Sequence, residues 1–139
     1  MAEDGTTVFD GTAVDVSRAE LEKVEREEEA RLAEYHTKFH PRGQPVLRGK
    51  RVLLVDDGLA TGATMEAALL AAKKQGAAHI AVTVPVASDN GARRLRREAD
   101  TVHALLVDPG FAAVGQYYRS FDQTTDHEVI EIFNAAAPP

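Results

Sequence analysis

Residues 52–64 read VLLVDDGLATGAT, and this run decides the fold. It opens on four apolar residues, Val52, Leu53, Leu54 and Val55. Two adjacent carboxylates follow, Asp56 and Asp57, and then a loop of small residues. An apolar run bounded by turn formers predicts a strand buried on both faces, as in a parallel sheet. Beyond Thr64 the sequence MEAALLAA favours helix. Lys73, Lys74 and Gly76 supply the basic last turn and the glycine that end one. The segment is therefore strand, small-residue loop, helix.

Free amides at a helix start, together with the helix dipole, attract an anion. Gly62 allows close approach of the backbone, and Thr61 and Thr64 add hydroxyl donors. Asp56 and Asp57 cannot hold the same anion, because like charges repel. They suit hydroxyl groups or a metal-bound sugar. A ligand with a phosphate at one end and a polyol at the other, such as ribose 5-phosphate, meets both requirements.

Working outward, the pattern repeats. Residues 80–84 predict a second buried strand, 89–99 a short helix and 101–107 a third strand. Strands alternating with helices imply right-handed crossovers and a parallel sheet. Upstream, residues 6–14 carry Asp10-Gly11 between β-prone flanks, a hairpin signal. Ser17-Arg18-Ala19-Glu20 is a capping box that opens a long helix. Leu21, Val24, Leu32, Tyr35 and Phe39 keep helical spacing on it, interrupted by Glu28. Glu22 with Arg26, Glu27 with Arg31 and Glu34 with Lys38 are expected i,i+4 pairs, each contributing about 0.2–0.5 kcal/mol. Downstream, Pro109-Gly110 turns the chain, and residues 111–121 carry Phe111, Tyr117, Tyr118 and Phe121. Thr125-Asp126-His127-Glu128 is a second capping box before a last helix.

The 139 residues form one domain (1–139) with an ordinary core, at 44% hydrophobic and 27% charged. A net charge of −6 argues against nucleic acid as a partner. The chain has no cysteine, and so no disulfide framework and no thiolate chemistry. No apolar run approaches a membrane span, and residues 1–9 show no signal-peptide pattern, so the expected compartment is the cytoplasm. The five histidines show no metal-ligand spacing.

Residues 52–64 resemble the PRPP-binding signature of the type I phosphoribosyltransferases: apolar strand, acidic pair, two variable positions, then a Thr/Gly loop. Gly58 departs from the pattern, because an apolar residue is usual there. The resemblance implies a Rossmann-like α/β domain with a parallel sheet and flanking helices. It also implies an enzyme that joins a nitrogenous base to C1 of PRPP and releases pyrophosphate. Asp56 and Asp57 would be the catalytic carboxylates, orienting the ribose and stabilising positive charge that develops on its ring. Ala60, Thr61, Gly62, Ala63 and Thr64 would bind the 5′-phosphate. Magnesium would be held mainly through PRPP, with no dedicated metal site. Tyr117, Tyr118 and Phe121 are candidate base-pocket residues, although such aromatics pack as core at least as often. Ala60 stands where the hypoxanthine-guanine branch has an Asp, and no base is assigned.

The resemblance covers the second half of the family domain. Its first strand, pyrophosphate loop and helix are expected to be missing upstream. The string Pro41-Arg42-Gly43-Gln44-Pro45 lacks the strand and helix such a loop needs. The strand at 52–55 is then expected at an open edge, covered by a homo-oligomer, a partner, the 6–14 hairpin or the long helix. Two alternatives to an enzyme stand beside this reading: a non-catalytic PRPP- or nucleotide-binding module, and a scaffold without ligand.

Overall fold

The computed structural model describes residues 6, 8, 17–39, 43 and 45–136. The expected hairpin at 6–14 and the Pro-rich string at 41–45 lie largely outside these residues. The element order is α1 (Arg18–Phe39), β1 (Arg51–Val55), α2 (Ala63–Lys74), β2 (His79–Ser88), α3 (Asp89–Leu95), β3 (Thr101–Asp108), a short 3-10 helix (Val114–Tyr117) and α4 (Asp126–Ala136). The three strands form one parallel sheet in the order β1-β2-β3, with Leu53 opposite Ala81 and Thr83 opposite His103. This is the α/β architecture that the alternating pattern predicts. The second and third strands run longer than expected.

The core lies between the sheet and the pair α2 and α3. Helix α2 buries Met65, Leu69 and Ala72 against Ile80, Val82 and Val84 of β2, and α3 adds Ala92 and Leu95. Leu69, Val82 and Leu95 have no exposed surface, and each such side chain contributes about 1.5–3 kcal/mol of transfer free energy. The even-numbered residues of β1, Val52 and Leu54, pack against this cluster.

The other face of the sheet corrects the sequence reading. The strand at 52–55 is not buried on both faces: Leu53 is 60% exposed and Val55 67%, and Leu105 of β3 is 91% exposed. The reason is topological. Right-handed crossovers that step twice in the same direction, β1 to β2 to β3, deliver both helices to the same face. Covering the opposite face requires a crossover that leaves β1 in the other direction. Strand β1 pairs only with β2 and is an edge strand among the described residues.

Both capping boxes form. Ser17 N donates to Glu20 Oε2 at 2.9 Å, and Thr125 N donates to Glu128 Oε2 at 2.7 Å. The surface pairs of α1 differ from those expected. Arg18 pairs with Glu22, Lys23 with Glu27, and Arg31 with Glu28. Lys38 reaches across to Asp126 of α4. Exposed pairs are worth so little that nearby alternatives compete freely.

Candidate functional site

Parallel strands bring their C-terminal ends to one edge of the sheet, where ligands of open α/β sheets bind. Asp56 and Asp57 leave β1 there, Ser88 ends β2 and Asp108 ends β3. Asp56 N still donates to Thr83 O, at 3.4 Å. The chain then lifts off the sheet through Asp57 and Gly58 and returns at Leu59.

Leu59 is the anchor of the loop. Its side chain is buried in the core, and it makes a parallel bridge with Ala87. Leu59 N donates to Val86 O at 2.9 Å, and Ser88 N donates to Leu59 O at 2.8 Å. Ser88 Oγ donates to Ala60 O at 2.5 Å while accepting Gly91 N at 2.9 Å as the N-cap of α3. Gly91 is packed so closely that a Cβ there would lie 2.7 Å from Ala60 O.

The start of α2 is built around Gly62, with φ of 77° in the left-handed region. That conformation costs an L-residue roughly 1–2 kcal/mol, so glycine suits it. The first intrahelical bond runs from Glu66 N to Gly62 O at 2.9 Å. Ala63 N reaches Thr61 Oγ1 at 3.3 Å. The amides of Thr64 and Met65 precede that first bond and point out of the helix start, as helix geometry requires. Glu66, a carboxylate in the first turn, would repel an anion, but Arg94 of α3 pairs with it.

These pieces surround one open cleft of about 140 Å³, lined by Asp56, Gly58, residues 59–65 and Val114. That is smaller than the roughly 300–1,000 Å³ of pockets that enclose a drug-sized ligand. The predicted phosphate residues Ala60, Thr61, Gly62, Ala63 and Thr64 all line it, together with Asp56. Asp57 lies just outside the lining. Burial pushes the Asp56 carboxyl above the usual aspartate range; its acceptor bond from Asp57 N at 2.9 Å opposes this, and the neighbouring Asp57 charge adds to it.

Tyr117, Tyr118 and Phe121 do not line the cleft; they cluster beside it. Tyr117 stacks on Phe111, with centroids 5.6 Å apart, and its hydroxyl donates to Asp108 Oδ2 at 2.7 Å. The Asp108 carboxyl is held below its usual range by that bond and by Gly110 N, and the Tyr117 phenol is pushed up to about 12. The Tyr118 hydroxyl donates to Asp57 O at 2.8 Å, and its ring tilts against Phe121.

Sequence reasoning did not single out Ser88, Gly91 or Val114. Ser88 before Asp89-Asn90 reads locally as an N-cap, and nothing local tells that its hydroxyl serves a carbonyl 28 residues away. Among the described residues, no group of three or more His, Cys, Asp or Glu side chains could hold a metal ion. No described helix is long and apolar enough to cross a membrane.

Comparison with known proteins gives a consistent picture. Residues 6–118 match the family model of the phosphoribosyl transferase domain. The chain is 37% identical, over 98% of its length, to proteins of Mycobacterium tuberculosis named "Putative phosphoribosyl transferase Rv0571c" (strain H37Rv) and "Putative phosphoribosyl transferase MT0597" (strain CDC 1551). It spans 32% of each, about a third of their length. Among solved structures it is similar to TT1426 from Thermus thermophilus, with a TM-score of 0.74 and 38% identity over 98% of this chain and 66% of that one.

Proposed function

Because this chain belongs to the phosphoribosyl transferase domain family, we propose that its cleft binds the phosphoribosyl group of PRPP and transfers it to a nitrogenous base with release of pyrophosphate. The observation that carries this reading is the juxtaposition in one cleft of the Asp56 carboxylate and a helix start with outward amides. In this reading the amides of residues 62–65 and the hydroxyls of Thr61 and Thr64 take the 5′-phosphate. Asp56 and Asp57 take the ribose hydroxyls and, as fixed negative charge, stabilise positive charge that grows on the ribose ring as the C1–pyrophosphate bond breaks. The base attacks from the opposite side, so the configuration at C1 inverts. The compartment proposed is the cytoplasm.

Magnesium fits this donor set in a limited way. Two adjacent carboxylates, without a third protein ligand among the described residues, suit an ion that keeps most of its coordination on substrate oxygens. When bound, such an ion would neutralise charge on the departing pyrophosphate.

One observation favours a second reading, a PRPP- or nucleotide-binding module without turnover. No Lys, Arg or His lines the cleft among the described residues, so the lining itself offers no cation to a leaving pyrophosphate. A pyrophosphate-release assay with PRPP, magnesium and a panel of purine and pyrimidine bases separates the two. The transferase reading expects release with at least one base, abolished by Asp56→Asn with Asp57→Asn. Binding of PRPP with no release from any base would support the binding module instead.

A further inference from the structure

The segment that follows β3 touches the Asp57–Gly58 turn at two points. Val114 is the only residue of this segment that lines the cleft among the described residues. It sits over Gly58, where an added Cβ would meet Val114 Cγ1 and Cγ2, each at 2.8 Å, and Val86 Cγ1 at 3.1 Å. Four residues on, the Tyr118 hydroxyl donates to the backbone carbonyl of Asp57 at 2.8 Å. The segment is itself braced. Gln116 Oε1 accepts the amides of Ala112 and Ala113 at 2.8 and 2.7 Å. Phe121 backs the Tyr118 ring, with its Cδ1 only 3.2 Å from where a Cβ on Gly115 would lie. Tyr117 is tied to Asp108 at the end of β3.

We propose that this segment is a clasp that sets the position of the acidic pair, with Tyr118 and Val114 as its positioning residues. The Asp56–Asp57–Gly58 stretch is tied to β2 only at its ends, where the Asp56 amide reaches Thr83 O and the Leu59 amide reaches Val86 O. Between them Asp57 is exposed and leaves the sheet. Val114 packed on Gly58, and the phenol bonded to the Asp57 carbonyl, fix the Asp57–Gly58 peptide directly after the two carboxylates. Gly58 is the counterpart of Val114: the position gives up a side chain so that a β-branched, rotationally stiff residue can close over it. Val114 also walls the cleft beside the acidic pair and so limits the bulk that can sit there. The clasp bears on the carboxylate end of the cleft and not on the 61–64 loop.

The inference rests on the reading that Asp56 and Asp57 take ribose hydroxyls, and its test keeps the two apart. Amide hydrogen exchange across residues 56–62 is measured on the ligand-free full chain for wild type, Tyr118→Phe, Gly58→Ala, and Gly58→Ala combined with Val114→Ala. Calorimetry then compares affinity for PRPP with magnesium and for inorganic phosphate. Tyr118→Phe keeps the ring and removes one hydrogen bond. It should speed exchange at residues 57 and 58 and weaken PRPP about threefold to tenfold, as loss of one bond implies. Phosphate affinity should change by less than about twofold, because the 61–64 loop keeps its own anchors. Gly58→Ala should act in the same direction, and adding Val114→Ala should restore slow exchange. Unchanged exchange in Tyr118→Phe, or a double variant no better than Gly58→Ala alone, overturns the clasp. If Gly58→Ala does not fold, Tyr118→Phe decides by itself. If wild type binds no PRPP, the ribose reading fails while exchange still decides the clasp.

Discussion

Ser88→Ala tests how the loop is held. The single hydroxyl of Ser88 donates to Ala60 O and accepts from Gly91 N, so alanine removes both bonds at once. Loss of a serine N-cap costs about 0.5–2 kcal/mol. Loss of a neutral hydrogen bond costs about 0.5–1.5 kcal/mol, toward the low end here because Ala60 is exposed and its carbonyl can turn to water. The expected loss is about 1–3 kcal/mol, and at about 4 °C per kcal/mol for a domain of this size the melting temperature falls by about 4–12 °C. Urea unfolding followed by circular dichroism measures it. Ser88→Thr, which keeps the hydroxyl and remains a good cap, should recover most of the loss. A Ser88→Ala protein within about 0.5 kcal/mol of wild type, below the range for either bond, refutes the idea that this hydroxyl holds the loop.

Other perturbations follow from the same geometry. Burial raises the Asp56 carboxyl, so the folded state keeps that proton longer than the unfolded chain does. Its contribution to stability therefore falls as pH rises from the ordinary aspartate range through the raised value. Asp56→Asn with Asp57→Asn should keep or raise the melting temperature at pH 7 while abolishing PRPP binding; a large thermal loss with intact binding would mean a structural role. Tyr117 should titrate near pH 12, and its contribution to stability should be present below pH 10.0 and lost through about 12. Ultraviolet titration of Tyr117→Phe should lack that late step. The same bond holds Asp108 low, so its contribution is lost as pH falls through the lowered value, and Tyr117→Phe should flatten that acid limb. Leu53→Lys with Val55→Lys puts charge on the open edge and bare face of β1. Light scattering should show less self-association than wild type, and equal association at matched concentration would remove that face from the contact.

The strand–loop–helix core of the site was legible because its signals are local. Four apolar residues, an acidic pair, a glycine that lets the backbone approach closely and a Lys-Lys-x-Gly stop lie within a single run. The capping boxes at Ser17 and Thr125 were legible for the same reason: each spans four residues. What the run at 52–55 could not tell is which faces are covered. That depends on the direction in which the chain winds from β1, and the same four residues suit either outcome. The contacts that brace the site were hidden by separation along the chain. Ser88 meets Ala60 only after one crossover has formed, and Val114 meets Gly58 and Tyr118 meets Asp57 only after two. The aromatics after β3 were noticed for their rings, whereas in the structure the Tyr117 and Tyr118 hydroxyls carry the connections to Asp108 and Asp57.

The central claim is that the 60–64 loop is a 5′-phosphate site. Calorimetric titration of PRPP with magnesium into wild type, Thr61→Ala and Gly62→Val tests it most directly. Thr61→Ala removes a hydroxyl donor, and Gly62→Val forces a β-branched residue into a left-handed conformation 3.4 Å from Gly91 O. The account predicts saturable binding by wild type, an affinity about threefold to tenfold lower for Thr61→Ala, and no measurable binding by a folded Gly62→Val protein. Undiminished affinity in both variants would contradict it.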